Sequence, residues 1–384
     1  MEKKRILILT CSHGSGHRMV AETLKDCFES RGCNVFVRDL FNEMSHPINV
    51  FLEKSYLLSY NIGRGFYKWI YYDFEKQASQ NSLKKLWKVT QRALIRILNE
   101  VQPDCIVNTY MYTITTILKE QDYLKLPIYT VVTDFCIPAA WMHPATTKYY
   151  VACQNVEDTL VSHGTPSDHI VKTGIPVRSA FYHPCDKAEI ARKYGLDPKR
   201  QTLLICAGTH GVLKDLGSIC ADIQRHDDLQ TIVICGRNKH LYNELSAQRF
   251  QNTTILGFVS DIHELYYLAD MMVTKPGGIT LSEVVVTGLP TILYKPTPGQ
   301  EGENAQWFKN QGAAIVAENP LELRLAIEHL KGNEFKQYTM KTALKKMYYG
   351  EAASRISEDV LTDLKILPED TPIHHLSSPN IQTL

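Results

Sequence analysis

The chain has 384 residues, 44% of them hydrophobic and 22% charged, with a formal net charge of +1. That length exceeds one ordinary core and suits two domains of roughly 150–200 residues, while the balance of charge and apolar content excludes a disordered chain and bulk nucleic-acid binding. Ten cysteines with no CxxC pair and no His/Cys cluster at metal spacing exclude a disulfide framework and a metal centre of that kind, and read as reduced thiols in a cytosolic protein.

The start, MEKKRILILTCSHG, imitates a signal peptide, but its apolar run covers only Ile6 to Leu9. No stretch approaches the ~18 apolar residues of a membrane-spanning helix. The expectation is a protein kept in the cytosol that touches the membrane from that side. RILILTCS reads as a strand, GHRMVAETLKDCFESRG as a helix ended by Gly32, and NVFVRDL as a second strand. Between them Gly14 and Gly16 permit a tight turn and close backbone approach. A dinucleotide fingerprint needs a third glycine where Met19 stands, although Asp39 ends the second strand as that motif requires. His17 falls in the first turn of the helix, where the helix dipole disfavours an imidazolium. It is a candidate general base, or a histidine that merely lines the loop.

Residues 41–100 interrupt the rhythm. Phe51 to Phe74 contain nine aromatic residues, among them Phe66, Tyr67, Trp69, Tyr71 and Tyr72, and nine Lys/Arg between Lys54 and Arg96 face only Asp73 and Glu75. Tyr and Trp favour the headgroup layer and Lys/Arg favour anionic lipid, so this insert reads as a membrane-facing surface. The alternative is an aromatic helical pair packed on the domain.

DCIVNTY, PIYTVVTD and KYYVAC then supply strands, with TITTILKEQDYL helical. After a proline-containing join near 176–200 the rhythm restarts. QTLLICAG, TIVICG, TTILGFV, MMVTKPGG, PTILYKP and AAIVA are predicted strands; VLKDLGSICADIQRH, DIHELYYLA and PLELRLAIEHLKG are predicted helices. Alternating strands and helices specify an α/β protein with two Rossmann-like domains facing across a cleft, ligands binding at the carboxyl ends of the strands. The tail PEDTPIHHLSSPNIQTL reads as disordered.

Three loops of the second half carry chemistry. In CAGTHGVLK, amides from Gly208 to Val212, including that of Gly211, suit phosphate oxygens, and His210 is a further donor. In KPGGITLSE, Gly277 and Gly278 turn the chain into a helix from Ile279, whose terminus carries roughly half a positive charge suited to a diphosphate. Glu283 lies about one turn in, where a carboxylate can take both hydroxyls of a ribose. In PTPGQEGENA, a loop presents Gln300 and Glu301, with Asn304 in the helix that follows, as sugar hydroxyls require. No Asp-X-Asp pair follows a strand here, so no metal is assigned, and amides must stabilise the leaving charge. Three alternatives remain open on these residues: a UDP-sugar epimerase, an NAD(P)-dependent oxidoreductase, and a non-catalytic membrane-surface protein.

GSGHRMVAETL, TDF (133–135), KYYVA, TGIPVR, AGTHGVLK, GFVSDIHELY, KPGGITLSE and YKPTPGQEGENA together resemble the bacterial processive diacylglycerol glucosyltransferases of glycosyltransferase family 28. That family is related to plant monogalactosyldiacylglycerol synthase and to the lipid-linked N-acetylglucosaminyltransferase of peptidoglycan synthesis. The resemblance spans about residues 4–365. It implies a GT-B fold and inverting transfer of glucose from UDP-glucose, a substrate rather than a cofactor, to diacylglycerol and then to the glucosylated product, the membrane glycolipid that anchors lipoteichoic acid. A UDP-galactose-dependent enzyme is the alternative. By position, it implies that Gly16 and His17 serve the acceptor and that Asp134 lies near it, orienting His17 or capping a loop. Phe258 and Val259 would read uracil through their backbone, and Gly277, Gly278 and Thr280 would form the diphosphate turn. Glu283 would bind ribose, with Gln300, Glu301 and Asn304 at the sugar. It also implies an acceptor domain over 1–180, a UDP-sugar domain over 195–350, a helix over 351–366 returning to the first domain, and peripheral attachment to anionic lipid at the cytoplasmic face. Oligomeric state is left open.

Overall fold

Short hydrophobic runs recur along the chain, and in the computed structural model they become the strands of two separate sheets, the inner ones buried. The structure describes residues 3–11, 15–40, 42–43, 80–110, 125–208, 211, 213, 215–224 and 228–366. The chain divides into two units, Met1–Val177 with Tyr349–Leu384, and Arg178–Tyr348.

Unit 1 runs β1 (Arg5–Thr10), α1 (Ser15–Ser30), β2 (Asn34–Asp39), α2 (Gln80–Val101), β3 (Cys105–Asn108), β4 (Ile128–Val131), β5 (Lys148–Val151), α3 (Gln154–Ser162) and β6 (Ile170–Lys172). Its six strands lie in the order β2-β1-β3-β4-β5-β6, all parallel. Helices cover a parallel sheet on both faces, so its inner strands are buried along most of their length rather than alternating; Ile6, Leu7, Ile8 and Leu9 are all fully buried, whereas the edge strand β2 is only partly buried. Ile6 pairs with Val35 on one side and Cys105 on the other. The order therefore reverses at β1, and the loops after β1 and β3 flank the switch point where such sheets bind ligands. α1 buries Val20, Ala21, Leu24 and Phe28 at helical spacing and stops at Gly32, which takes φ +83°. α2 buries Ala93, Leu94, Ile97, Leu98 and Val101 against the strand residues Leu7, Leu9 and Ile106.

Unit 2 runs α4 (Lys187–Lys193), β7 (Gln201–Cys206), α5 (Leu216–Ile223), β8 (Leu229–Ile234), α6 (Lys239–Ala247), β9 (Thr253–Leu256), α7 (Ile262–Leu268), β10 (Met271–Thr274), α8 (Gly278–Thr287), β11 (Thr291–Tyr294), α9 (Gln300–Asn310), β12 (Ala314–Ala317), α10 (Pro320–Leu330) and α11 (Glu334–Lys346). The strand order is β12-β11-β10-β7-β8-β9, again parallel, which is the doubly wound Rossmann order. Its switch point lies between β7 and β10. Leu203, Ile205, Val233, Val273 and Ile292 fill the core with Leu323 and Ile327 of α10.

The last helix, α12 (Ala352–Ile366), belongs to unit 1. It buries Ile356 and Val360 and packs on α1. Lys148 Nζ donates to Asp359 and Asp363 at 3.0 and 2.9 Å, Tyr150 donates to Asp359 at 2.8 Å, and Arg31 reaches Ser354 at 2.7 Å.

Several elements differ from the sequence reading. The helix predicted from Val212, a residue outside the described ones, starts at Leu216, after Asp215 takes a left-handed φ of +62°. β9 stops at Leu256, so Gly257, Phe258 and Val259 form a loop rather than the end of a strand. Residues 181–194, placed between the domains, belong to unit 2: Phe181 is buried, and α4 is tied down by Lys187–Asp270 and Lys193–Glu264 ion pairs, both at 2.6 Å. β6, α3, α4, α6 and α11 have no counterpart in the reading. The predicted helix at 113–124, the tail 367–384 and the aromatic cluster with Phe66, Tyr67, Trp69, Tyr71 and Tyr72 lie outside the described residues. Among the described residues, no helix is long and apolar enough to cross a membrane.

Candidate active site

At the switch point of unit 2, β10 ends at Thr274 and the Gly277 amide donates to the Lys275 carbonyl at 2.9 Å, closing a tight turn. α8 then begins at Gly278, one residue earlier than the sequence suggests, and Leu281 makes the first helical bond, to Gly277. The amides of Gly278, Ile279 and Thr280 belong to the first turn, where no intrahelical acceptor exists. Gly277 has φ −72°, allowed for any residue, and a Cβ added there meets nothing within 4 Å. Its small size keeps the space before the helix open; the backbone does not require it. Asn304, fully buried on α9, donates through Nδ2 to the Pro276 carbonyl at 3.0 Å and so holds the turn from beneath.

Gln300 and Glu301 are the first two residues of α9 and not part of the preceding loop. Oε2 of Glu301 accepts from the Thr297 amide at 2.9 Å and the Thr297 hydroxyl at 2.5 Å, and Lys275 Nζ lies 3.6 Å away. The sequence reading missed both partners; Thr297 signals itself as the residue between two prolines four positions before a carboxylate.

Glu283 sits on the buried face of α8, 5% exposed, and its Oε2 accepts from the Tyr266 hydroxyl at 2.9 Å. Burial raises its carboxyl to about 7, with the Tyr266 bond and the Arg178 charge pulling the other way. Arg178 donates to the Ser260 carbonyl at 2.7 Å, next to Val259, and its guanidinium lies 5.5 Å from the Phe181 ring centre. Phe258 is 59% exposed with the Arg237 guanidinium 5.1 Å from its ring centre. After β7, Gly208 takes φ +79°. A Cβ on Gly211 would stand 2.5 Å from Asn238 Cβ and 2.7 Å from the Cys235 carbonyl, so this glycine has a packing reason of its own. His210 lies outside the described residues.

In unit 1, His17 is the third residue of α1, preceded by Gly16. Its Nδ1 lies 2.9 Å from the Thr109 carbonyl and 3.0 Å from the Thr133 hydroxyl. A carbonyl only accepts, so the proton sits on Nδ1 and Nε2 keeps its lone pair. Tyr110 meets the imidazole edge-on at 5.0 Å between ring centres, and Trp141 lies at 6.4 Å. Burial among these groups pushes the imidazole down to about 4 despite some residual exposure, and the Thr109 bond opposes the shift. The ring is therefore neutral near pH 7 and presents a base. Thr133, one residue before Asp134, contacts the His17 ring directly, and Asp134 is itself buried. Thr109 and Thr133 each follow a strand, a signal that strand-end chemistry would have flagged. Among the described residues, no group of three or more His, Cys, Asp or Glu side chains is placed to hold a metal ion.

Residues 17–177 match the family described as monogalactosyldiacylglycerol (MGDG) synthase, and residues 202–356 match the glycosyltransferase family 28 C-terminal domain. Over 378 residues the chain is 38% identical to a protein of Bacillus cereus named processive diacylglycerol beta-glucosyltransferase, covering 97% of both chains. The chain belongs to this glucosyltransferase family. A protein of the same name from Bacillus anthracis shows the same identity and coverage. Among solved structures, Acinetobacter baumannii MurG aligns with a TM-score of 0.64 at 13% identity, over 94% of this chain and 100% of that one. UDP-GlcNAc 2-epimerase from Neisseria meningitidis bound to UDP-GlcNAc aligns at 0.60 and 15%, over 93% and 99%. These likenesses give the GT-B fold and nothing finer. Transferases and epimerases share that fold, so full-length sequence identity, not shape, separates this glucosyltransferase family from the epimerase alternative.

Proposed function

We propose that this protein transfers glucose from UDP-glucose to diacylglycerol, and then to the glucosyldiacylglycerol product, with inversion at the anomeric carbon. The observation that carries the reading is His17, neutral and held by the Thr109 carbonyl so that Nε2 is the basic nitrogen. In the proposed step Nε2 removes the proton from the acceptor hydroxyl as that oxygen attacks the anomeric carbon. The bond from that carbon to the β-phosphate oxygen breaks, and its electron pair leaves with UDP. Attack from the face opposite UDP converts an α-linked donor into a β-linked product.

Unit 2 holds the donor. The first-turn amides of α8 receive the diphosphate and take up charge as it develops. Glu283 accepts the ribose hydroxyls, the Phe258–Val259 backbone reads uracil, and Gln300 with Glu301 binds the sugar hydroxyls. Asn304 acts through the KPGG turn that it pins, and Asp134 supports the acceptor side. Diacylglycerol and anionic lipid are met through the aromatic and basic segment within residues 41–100, at the cytoplasmic face of a membrane.

The test mixes purified protein with diacylglycerol vesicles and either UDP-glucose or UDP-galactose, then reads products by mass and anomeric configuration by NMR. Mono- and diglucosyl lipid in the β configuration is expected. An α-linked product would overturn the inverting step, and hexose transfer from UDP-galactose alone would reassign the donor.

A further inference from the structure

Glu283 and Tyr266 form a polar pair inside the core of unit 2. Tyr266, on α7, is 2% exposed, and its hydroxyl donates to Glu283 Oε2 at 2.9 Å. Its ring packs edge-on against Phe181, with 5.2 Å between ring centres at 88°. Phe181 in turn lies beneath Arg178, which grips the Ser260 carbonyl at 2.7 Å. The Tyr266 ring is buried against Phe181, with its hydroxyl directed at Glu283. A carboxylate accepts at about four lone-pair sites, yet among the described residues Tyr266 is the hydrogen-bond donor to this one. A buried carboxylate with a single donor is short of partners, and a vicinal diol supplies the missing hydrogen bonds.

We propose that Tyr266 is a positioning residue for the donor: by occupying Oε2 it fixes the Glu283 side chain and presents the other oxygen, ionised, to the hydroxyls of the ribose. This rests on the reading of unit 2 as the UDP-sugar site. The titratable groups acting on Glu283 are Tyr266 from α7, Arg178 ahead of the Ser179–Tyr182 turn, and Cys206 at the end of β7. Burial holds Tyr266 well above its usual range and raises Cys206, so both remain protonated near neutral pH and Arg178 is the cation. Glu283 is an acid raised from 4.5 to about 7, so its proton is present below that point and lost above it. Two ribose hydroxyls both donate to the ionised form, whereas the protonated form must spend one position donating. Donor affinity therefore rises with pH through the neutral range, by up to about tenfold per unit below the midpoint.

The experiment is calorimetric titration of the full chain with UDP-glucose, without acceptor, from pH 6 to 8.5. Wild-type affinity should climb through about pH 7 and level off. Tyr266→Phe removes a bond that favours the charged carboxylate, so its climb should shift to higher pH while the alkaline plateau stays within a few fold of wild type. Replacing Tyr266 by 3-fluorotyrosine, a stronger donor of nearly the same shape, should shift the climb to lower pH. Opposite displacements of the two curves support the proposal; curves that superimpose on wild type, or fall by one factor at every pH, overturn it. Glu283→Gln should bind weakly with no pH dependence. Wild-type affinity in Glu283→Gln would instead remove the donor reading itself, an outcome separate from failure of the Tyr266 assignment.

Discussion

Burial among its neighbours pushes the His17 imidazole down to about 4 against the opposing Thr109 bond, and a place in the first turn of a helix favours the neutral ring in the same direction. Free histidine titrates near 6.5, so below that value the unfolded chain binds a proton that the folded one refuses, and stability falls with pH between about 6.5 and about 4. Under the proposed mechanism, His17 therefore stays a base through the neutral range. His17→Ala should lower turnover by ~10²- to 10⁴-fold, the usual worth of a positioned base, with UDP affinity unchanged. At saturating donor, the acid limb of wild-type turnover should lie well below pH 6. Turnover that titrates near 6.5, or a variant as fast as wild type in a lipid assay, would remove His17 from the base role. The sequence shows why this residue is singled out, since the glycine turn and the helix pattern around it are contiguous. It does not show Thr109 or Thr133, which lie 92 and 116 positions away.

At the scale of the element, two glycines that look alike in sequence do different things. Gly277 caps α8 with an ordinary φ of −72° and open space where a Cβ would go. Gly211 has φ +60° and a backbone carbonyl 2.7 Å from the same point. Gly277→Ala should change stability by under ~1 kcal/mol, since its conformation suits alanine, yet weaken UDP binding about tenfold or more because the methyl group projects into the space proposed for the diphosphate. Gly211→Ala should destabilise unit 2 by ~1–3 kcal/mol through overpacking and strain. Chemical denaturation paired with UDP titration separates the two, and a Gly277→Ala protein that binds UDP as wild type does would place the diphosphate elsewhere. Sequence shows a glycine at each corner. Only the folded backbone decides which of the two it needs.

For the whole molecule, two cores on two sheets make a single unfolding temperature an incomplete description. Calorimetry should resolve two transitions. UDP at a hundred times its dissociation constant should add about 2.7 kcal/mol to the unit that binds it, raising one transition and leaving the other in place. The unmoved transition should be the one lowered by Lys148→Met. That change leaves Asp359 and Asp363 of α12 without their cation and costs ~1–3 kcal/mol for a partly buried network. UDP and Lys148→Met acting on the same transition would contradict the assignment of donor binding to unit 2.

By itself the sequence determined the alternation of strands and helices, the two parallel sheets, and the corners where glycine meets a helix start. Those features depend on hydrophobic period and turn chemistry within a few residues, so they survive without knowledge of the fold. Tertiary structure alone decided which side chains meet. Tyr266 reaches Glu283 because α7 and α8 pack together, His17 finds its acceptors because β3 and β4 end beside α1, and α12 joins unit 1 through Lys148, Tyr150 and Arg31. Buried polar groups take whichever partner the packed core brings within 3 Å. That choice is made by the arrangement of whole elements, and no local stretch of sequence contains it.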